Sequence, residues 1–218
     1  MLKTRDLYDL DHTIAAKYLE KYEYPWQALK GISELILALG PGLGEEYEEI
    51  SPSVWVHKTA KIFPSAYLGA PCIIGAGTEV RHCAFIRGSA RVGAGCVVGN
   101  SVELKNVILF DGVQVPHYNY VGDSLLGDKS HMGAGSVTSN VKSDKSLVVV
   151  KNGGEKVETG LKKFGAMLGD FVEVGCNSVL NPGTVIGRHS NVYPPSCVRG
   201  MVGEGCIWKN DGTVVKKK

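Results

Sequence analysis

The chain has 218 residues with 24 basic and 22 acidic side chains, so its formal net charge is +2. This balance lacks the excess of positive charge that is typical of nucleic-acid-binding proteins. No apolar run approaches the ~20 residues that a membrane span needs. Residues 1–11 alternate charges and lack the apolar core of a secretion signal. We therefore expect a cytoplasmic globular protein that binds neither nucleic acid nor membrane.

Residues 1–50 are predicted to form two short helices. Leu7, Leu10, Ile14 and Tyr18 fall on one helical face. A second helix is expected to begin at Pro25 and to end at Gly40-Pro41.

Glycine is the compositional outlier, with 28 residues among 218, nearly twice the usual share of about 7%. The glycines stand among Val, Ile and Leu, which indicates tight turns between short buried strands. The six cysteines contain no Cys-x-x-Cys spacing. We interpret them as reduced core residues, with a set of disulfides as the alternative.

A repeat of six residues begins after this helical segment. Stepping by six meets an aliphatic residue nine times in succession: Val56, Ile62, Leu68, Ile74, Val80, Ile86, Val92, Val98 and Leu104. The step shortens to five at Leu104–Leu109 and again at Val121–Leu126, and a second block of sixes runs from Leu168 to Val198. A period of six fits short strands joined by sharp corners.

The repeat defines the domain organisation. Residues 51–218 are predicted to be one solenoid domain that ends in a tail of lysines, and residues 1–50 a helical cap or arm for its open end. Residues 142–160 interrupt the repeat, and Asn152-Gly153-Gly154 is a good hairpin turn. We expect a protruding loop there.

Polar and aromatic side chains concentrate between the two blocks. His117, Tyr120, Gly122 and Asp123 are followed by Gly133-Ala134-Gly135 and then by Asn140. Histidine is the usual general base near neutral pH. We expect the functional site in this stretch.

The hexapeptide pattern, an aliphatic residue often followed by glycine, resembles the left-handed parallel β-helix acyltransferases over residues 54–141 and 161–201. The segment around His117 resembles the acetyltransferase domain of the bifunctional enzymes that make UDP-N-acetylglucosamine, and the β-helix tail of archaeal sugar-phosphate nucleotidyltransferases. The resemblance implies a mainly β fold, a left-handed parallel β-helix with a short N-terminal helical segment and a protruding loop.

The resemblance also implies roles for particular residues. His117 would be the catalytic base, and Asn140 would orient the base or the amine. The acceptor, an amino sugar or sugar phosphate, would be bound by five residues: Arg87, Lys105, Tyr120, His131 and Lys163. Acetyl-CoA would lie against Ala134, Cys176 and Pro194 in a cleft between copies of a homotrimer, and no metal is expected.

Two positions depart from the family pattern: His131 stands where the family has asparagine, and Val141 where it has tyrosine. A non-catalytic regulatory or scaffold β-helix is therefore the alternative function.

A zinc carbonic anhydrase of the same solenoid type would need a third histidine beside His82 and His117, and Gly122 stands at the expected position. Residues 1–50 are too short for a nucleotide-binding domain, so we do not expect nucleotidyltransferase activity.

Overall fold

Short parallel strands stack on the three faces of a solenoid in the computed structural model, which describes residues 1–217. Where the repeat of six is unbroken, strands pair with strands 18 residues away; Val54 pairs with Cys72, which in turn pairs with Ala90. The aliphatic residues of the six-residue repeat point inward, and Ile74 and Ile86 have no exposed surface. The predicted mainly β, left-handed parallel β-helix is confirmed, with about nine turns.

The strands of each face are as follows. The first face holds Val54–His57, Cys72–Ile74, Ala90–Val92, Ala166–Leu168, Thr184–Ile186 and Met201–Val202. The second face holds Lys61–Ile62, Glu79–Val80, Val97–Asn100, Gln114–His117, His131–Met132, Glu173–Val174, Asn191–Val192 and Cys206–Trp208. The third face holds Tyr67–Leu68, Phe85–Ile86, Val137–Thr138, Val179–Leu180 and Cys197–Val198.

Two longer strands, Glu103–Leu109 and Tyr120–Leu126, pass from the third face onto the first without a loop. Both contain the five-residue steps seen in the sequence. Each turns the corner at one residue with positive φ, Asn106 at 55° and Asp123 at 48°. Asparagine and aspartate are the side chains that best tolerate this left-handed backbone. The shortened repeats thus become single-residue corners.

Antiparallel strands close the two ends of the solenoid. Tyr47–Ser51 pairs with Val54–His57 on the first face, and Val214–Lys216 pairs with Cys206–Trp208 on the second. Both therefore cover strand edges that would otherwise present unpaired backbone groups. Part of the predicted lysine tail is thus a strand, and Lys218 lies outside the described residues.

The N-terminal segment covers the first face from one corner to the other. It comprises the α-helices Thr4–Leu7, Ala16–Leu19 and Ile32–Leu39 and the 3-10 helices Leu10–His12, Pro25–Gly31 and Gly40–Gly42. We call residues 1–42 the arm. It is anchored by Tyr8 stacked on Phe110 and by Trp26 stacked on Phe164. The arm lies along a face and not across the open end of the solenoid. At that end, Tyr47–Ser51 pairs with the edge strand Val54–His57.

The burial of the first face explains why the arm packs there. Most of its outward-pointing side chains are apolar and buried: Trp55, Ile73, Ile108, Leu125, Met167 and Val185. Arg91, at the position between Ile73 and Ile108, is the buried charged exception. A sheet covered on both sides needs apolar residues on both sides. The arm supplies that cover. No helix among residues 1–217 combines the length and apolar character needed to cross a bilayer.

The segment predicted as a protruding loop folds back on the solenoid. It contains an antiparallel hairpin of Val149–Asn152 and Glu155–Glu158, turning at the Gly153-Gly154 pair. Val148 and Val150 are buried, and the hairpin lies against Met201–Val202. It therefore covers the far end of the first face.

Candidate active site

A column of polar residues lines the corner between the third and first faces. Asn106, Asp123 and Asn140 follow one another at 17-residue steps, so their side chains stack in successive coils. The Asp123 carboxylate, almost fully buried, accepts hydrogen bonds from Asn106 Nδ2 at 2.9 Å and from Asn140 Nδ2 at 2.5 Å. Lys105 Nζ donates to both of its oxygens, at 2.9 and 3.1 Å. The negative charge is thus fully compensated, as a buried charge must be.

A cleft of about 500 Å³ opens over this column. The three cations predicted to hold a phosphate, Arg87, Lys105 and Lys163, all line it. Arg87 also pairs with Glu103 at 2.9 Å. The structure therefore brings together side chains from three separate parts of the sequence.

Tyr120 and Asn140 meet beside the cleft. Asn140 Nδ2 donates to the Tyr120 hydroxyl at 3.2 Å. The ring reaches it by lying over Gly122, where a Cβ atom would stand 2.4 Å from the hydroxyl. Burial, with the charges of Asp123 and Glu103, raises the pKa of Tyr120 above its usual value. Tyr120 is therefore a neutral hydrogen-bonding group at physiological pH.

His117 lies elsewhere, at the corner between the second and third faces. It ends the strand Gln114–His117, is exposed, and forms no side-chain hydrogen bond within residues 1–217. Its backbone carbonyl accepts from the Gly135 N–H at 3.0 Å, which fixes the Gly133-Ala134-Gly135 corner beside it. Within one chain, His117 and Asn140 therefore lie at opposite edges of the third face.

The residues predicted to contact acetyl-CoA share the corner of His117. Ala134, Cys176 and Pro194 occupy equivalent positions in successive coils. The first two of these coils are joined by a hydrogen bond from the Asn177 N–H to the Ala134 carbonyl at 2.8 Å. Cys176 and Pro194 line a shallow groove of about 260 Å³. The structure therefore places these predicted residues along one continuous corner.

His131 lies in this groove and not in the cleft. It sits on the second face, where Nδ1 is 2.8 Å from Glu173 Oε2. Within residues 1–217, no three His, Cys, Asp or Glu side chains group as ligands for a metal ion. His82 and His117 share one corner, with Asn100 in the coil between them.

The arm contributes a wall of the cleft that was not predicted from the sequence. Leu29, Lys30, Ser33 and Glu34 line the same cleft as the three cations. The apolar outward positions of the first face, such as Ile73 and Leu125, were the available signal. They indicated that another segment had to cover that face beside the cleft.

A family model described as the GMPPB C-terminal domain matches residues 71–202. The bifunctional sugar-1-phosphate nucleotidylyltransferase/acetyltransferase of Sulfurisphaera tokodaii is 30% identical over 189 residues, which are 85% of this chain and 47% of that protein. The bifunctional protein GlmU of Methanococcus maripaludis is 33% identical over 115 residues, 52% of this chain and 28% of that protein. This chain thus spans less than half the length of either relative.

Among solved structures, the acetyltransferase domain of PglB from Neisseria gonorrhoeae in complex with acetyl coenzyme A aligns with a TM-score of 0.39 and 17% identity. The alignment covers 84% of this chain and 64% of that one.

Proposed function

The chain belongs to the GMPPB C-terminal domain family, and from this premise we propose that it is an acetyltransferase. It transfers the acetyl group of acetyl-CoA to the amine of an amino sugar, in particular a sugar 1-phosphate such as glucosamine 1-phosphate. The observation that carries the proposal is the cleft, where Arg87, Lys105 and Lys163 converge beside Tyr120 and Asn140. Charge-assisted hydrogen bonds from such cations hold phosphate strongly.

The reaction needs no covalent enzyme intermediate. The acceptor amine attacks the thioester carbonyl carbon, a C–N bond forms, the C–S bond breaks, and CoA leaves as its thiol. His117 takes the proton from the amine. The N–H groups of Gly133 and Gly135 already donate to Val174 and His117. Ala134 N–H has no acceptor among the described residues, so we assign it to the oxyanion.

The site is completed between copies of the chain. His117 and the cleft lie at opposite edges of the third face, so in this proposal the partner's His117 faces the cleft of the next copy in a homotrimer. Large apolar side chains are exposed along this face, with Tyr67 at 60% and Phe85 at 43%. Exposed apolar patches of this kind mark interaction surfaces.

Acetyl-CoA, in this proposal, lies along the corner of Ala134, Cys176 and Pro194, which leads to His117. His131 and Glu173, in the same groove, would contact the coenzyme and not the acceptor. The cytoplasm is the proposed location, since all six cysteines are unpaired and that compartment keeps thiols reduced.

The test is CoA release from acetyl-CoA, with glucosamine 1-phosphate, galactosamine 1-phosphate and amino-sugar nucleotides supplied separately. A reaction without acceptor corrects for the protein's own thiols. We expect acceptor-dependent release that His117→Ala lowers at least about a hundredfold, the usual contribution of a general base. His82→Ala, at the same corner, is the matched control and should retain activity.

Subunit mixing tests the shared site. A His117→Ala protein and an Arg87→Ala/Lys163→Gln protein should each be inactive and should regain activity when refolded together. Absence of release with every acceptor would reject the acetyltransferase and favour the non-catalytic regulatory or scaffold β-helix.

A further inference from the structure

The arm forms one wall of the cleft, and we propose that its Lys30 binds the acceptor's phosphomonoester together with Lys163. This inference rests on the proposed function for the identity of the acceptor. Lys30 and Lys163 both line the cleft, Lys30 on the wall formed by the arm and Lys163 where the chain returns from the hairpin. A phosphate bound in the cleft would receive donors from both segments of the chain.

The ion pairs of the cleft single out these two lysines. Arg87 is paired with Glu103, and Lys105 with Asp123, each at 2.9 Å. Lys30 and Lys163 have no carboxylate within 4.0 Å among residues 1–217, and both are exposed. Their charges are therefore available to an incoming anion, whereas Arg87 and Lys105 must share theirs with a carboxylate.

The backbone that carries Lys30 is fixed at the edge of the polar column. Asn106 Nδ2 donates to the carbonyl of Leu29 at 3.1 Å and also to Asp123. Leu29 itself and Ile32 are buried on either side of Lys30. The arm residue is thus held against the same network as Lys105. Such pre-organisation lowers the cost of ordering a binding site.

Glu34 allows an independent test of whether the charge on this wall controls anion binding. It lies four residues after Lys30 on the same wall, is exposed and has no ion-pair partner among residues 1–217. Its negative charge opposes binding of an anion. Removing it should strengthen binding of the phosphate, whereas removing Lys30 should weaken it.

The test is calorimetric binding of glucose 1-phosphate, which carries the phosphate and lacks the amine, in the absence of acetyl-CoA. We expect Lys30→Gln to weaken binding about tenfold, the loss of one charge-assisted hydrogen bond. Glu34→Gln should tighten binding about twofold to threefold. Lys17→Gln, an exposed lysine elsewhere on the arm, is the matched control and should bind as the wild type does.

The outcomes separate this inference from the proposed function. Weaker binding by Lys30→Gln supports the arm site even if acetyl transfer is absent. If acetyl transfer to glucosamine 1-phosphate occurs and Lys30→Gln has the same acceptor KM as Lys17→Gln, the arm site is overturned and the proposed function stands. Failure of the wild type to bind glucose 1-phosphate also overturns the arm site.

Discussion

Lys105 donates to both carboxylate oxygens of Asp123, although the two residues are 18 positions apart in the chain. The ion pair joins two successive coils at the corner where the cleft opens. Two asparagine amides complete the environment of the carboxylate. The corner therefore depends on one buried charge whose donors come from the coil before it and the coil after it.

The Asp123→Asn variant should lose about 2–4 kcal/mol of unfolding free energy, because it leaves the donors of Lys105 and the two asparagines without a charged acceptor. Urea unfolding followed by circular dichroism measures the change. Asp11→Asn, an exposed carboxylate of the arm, is the control and should change stability by less than about 0.5 kcal/mol. A loss as small as that of the control would contradict the role of Asp123.

The Gly122→Ala variant should displace the ring of Tyr120, since the new methyl group would stand 2.4 Å from its hydroxyl. We expect a loss of about 1–2 kcal/mol of stability from overpacking. The hydrogen bond to Asn140 is lost with it, so acceptor KM should rise in the same direction as in Tyr120→Phe. Gly154→Ala, where a Cβ meets nothing within 4 Å, is the matched control. Unchanged acceptor KM in Gly122→Ala would count against this arrangement.

The Trp26→Ala variant should weaken the attachment of the arm. Trp26 is 2% exposed and stacks on Phe164 with 5.8 Å between ring centroids. Truncation of a buried aromatic side chain costs about 3–5 kcal/mol. Urea unfolding measures the loss, and hydrogen exchange should show the amides of the arm exchanging faster. Leu37→Ala, at a side chain that is 46% exposed, should behave almost as the wild type. Equal exchange in both variants would exclude this anchoring role.

Five of the six thiols should divide into two groups in the folded protein according to their burial. Burial raises the pKa of Cys72 and Cys96 to about 12, whereas Cys83, Cys176 and Cys197 are exposed. The thiolate is the reactive form. Alkylation at pH 8 should therefore modify the exposed thiols in the folded protein and leave Cys72 and Cys96 unreacted until the protein is unfolded. Mass spectrometry after timed alkylation identifies the modified residues, and early modification of Cys72 would be inconsistent with this structure.

Acetyl-CoA should protect Cys176 from alkylation if the coenzyme lies along the proposed corner. Cys83 is exposed and lies outside the proposed groove, so it is the internal control and should react at the same rate with and without acetyl-CoA. We expect at least about a fivefold slowing at Cys176 when the coenzyme is nearly saturating. Equal rates at Cys176 with and without acetyl-CoA would show that the coenzyme does not bind in this groove.

The interior of the solenoid could be predicted because one inward residue recurs every six positions. Ile74, Ile86 and Val98 are all fully buried. The hairpin turn at Gly153-Gly154 could also be predicted, since its residue types suit the turn. Local patterns of this kind depend on a few neighbouring residues, so the sequence carries them directly.

The location of the arm could not be predicted in the same way. Helical periodicity identifies the apolar side of a segment such as Ile32–Leu39, and it does not identify the surface on which that side packs. The contribution of Lys30 to the cleft depends on that packing. The separation of His117 from Asn140 was accessible from the repeat, because the two residues follow different strands of their coils.

Every change in coil length falls at the corner between the third and first faces. Two coils are one residue shorter there, and in the next coil an insertion separates Val137 from its strand partner Val179 by 42 positions. The last coil is two residues shorter at the same corner. The strands before and after the insertion stay in register. Residues can thus be added or removed at the mouth of the cleft while the backbone ladder is unaltered. The scaffold can accept a new ligand specificity by remodelling this single edge.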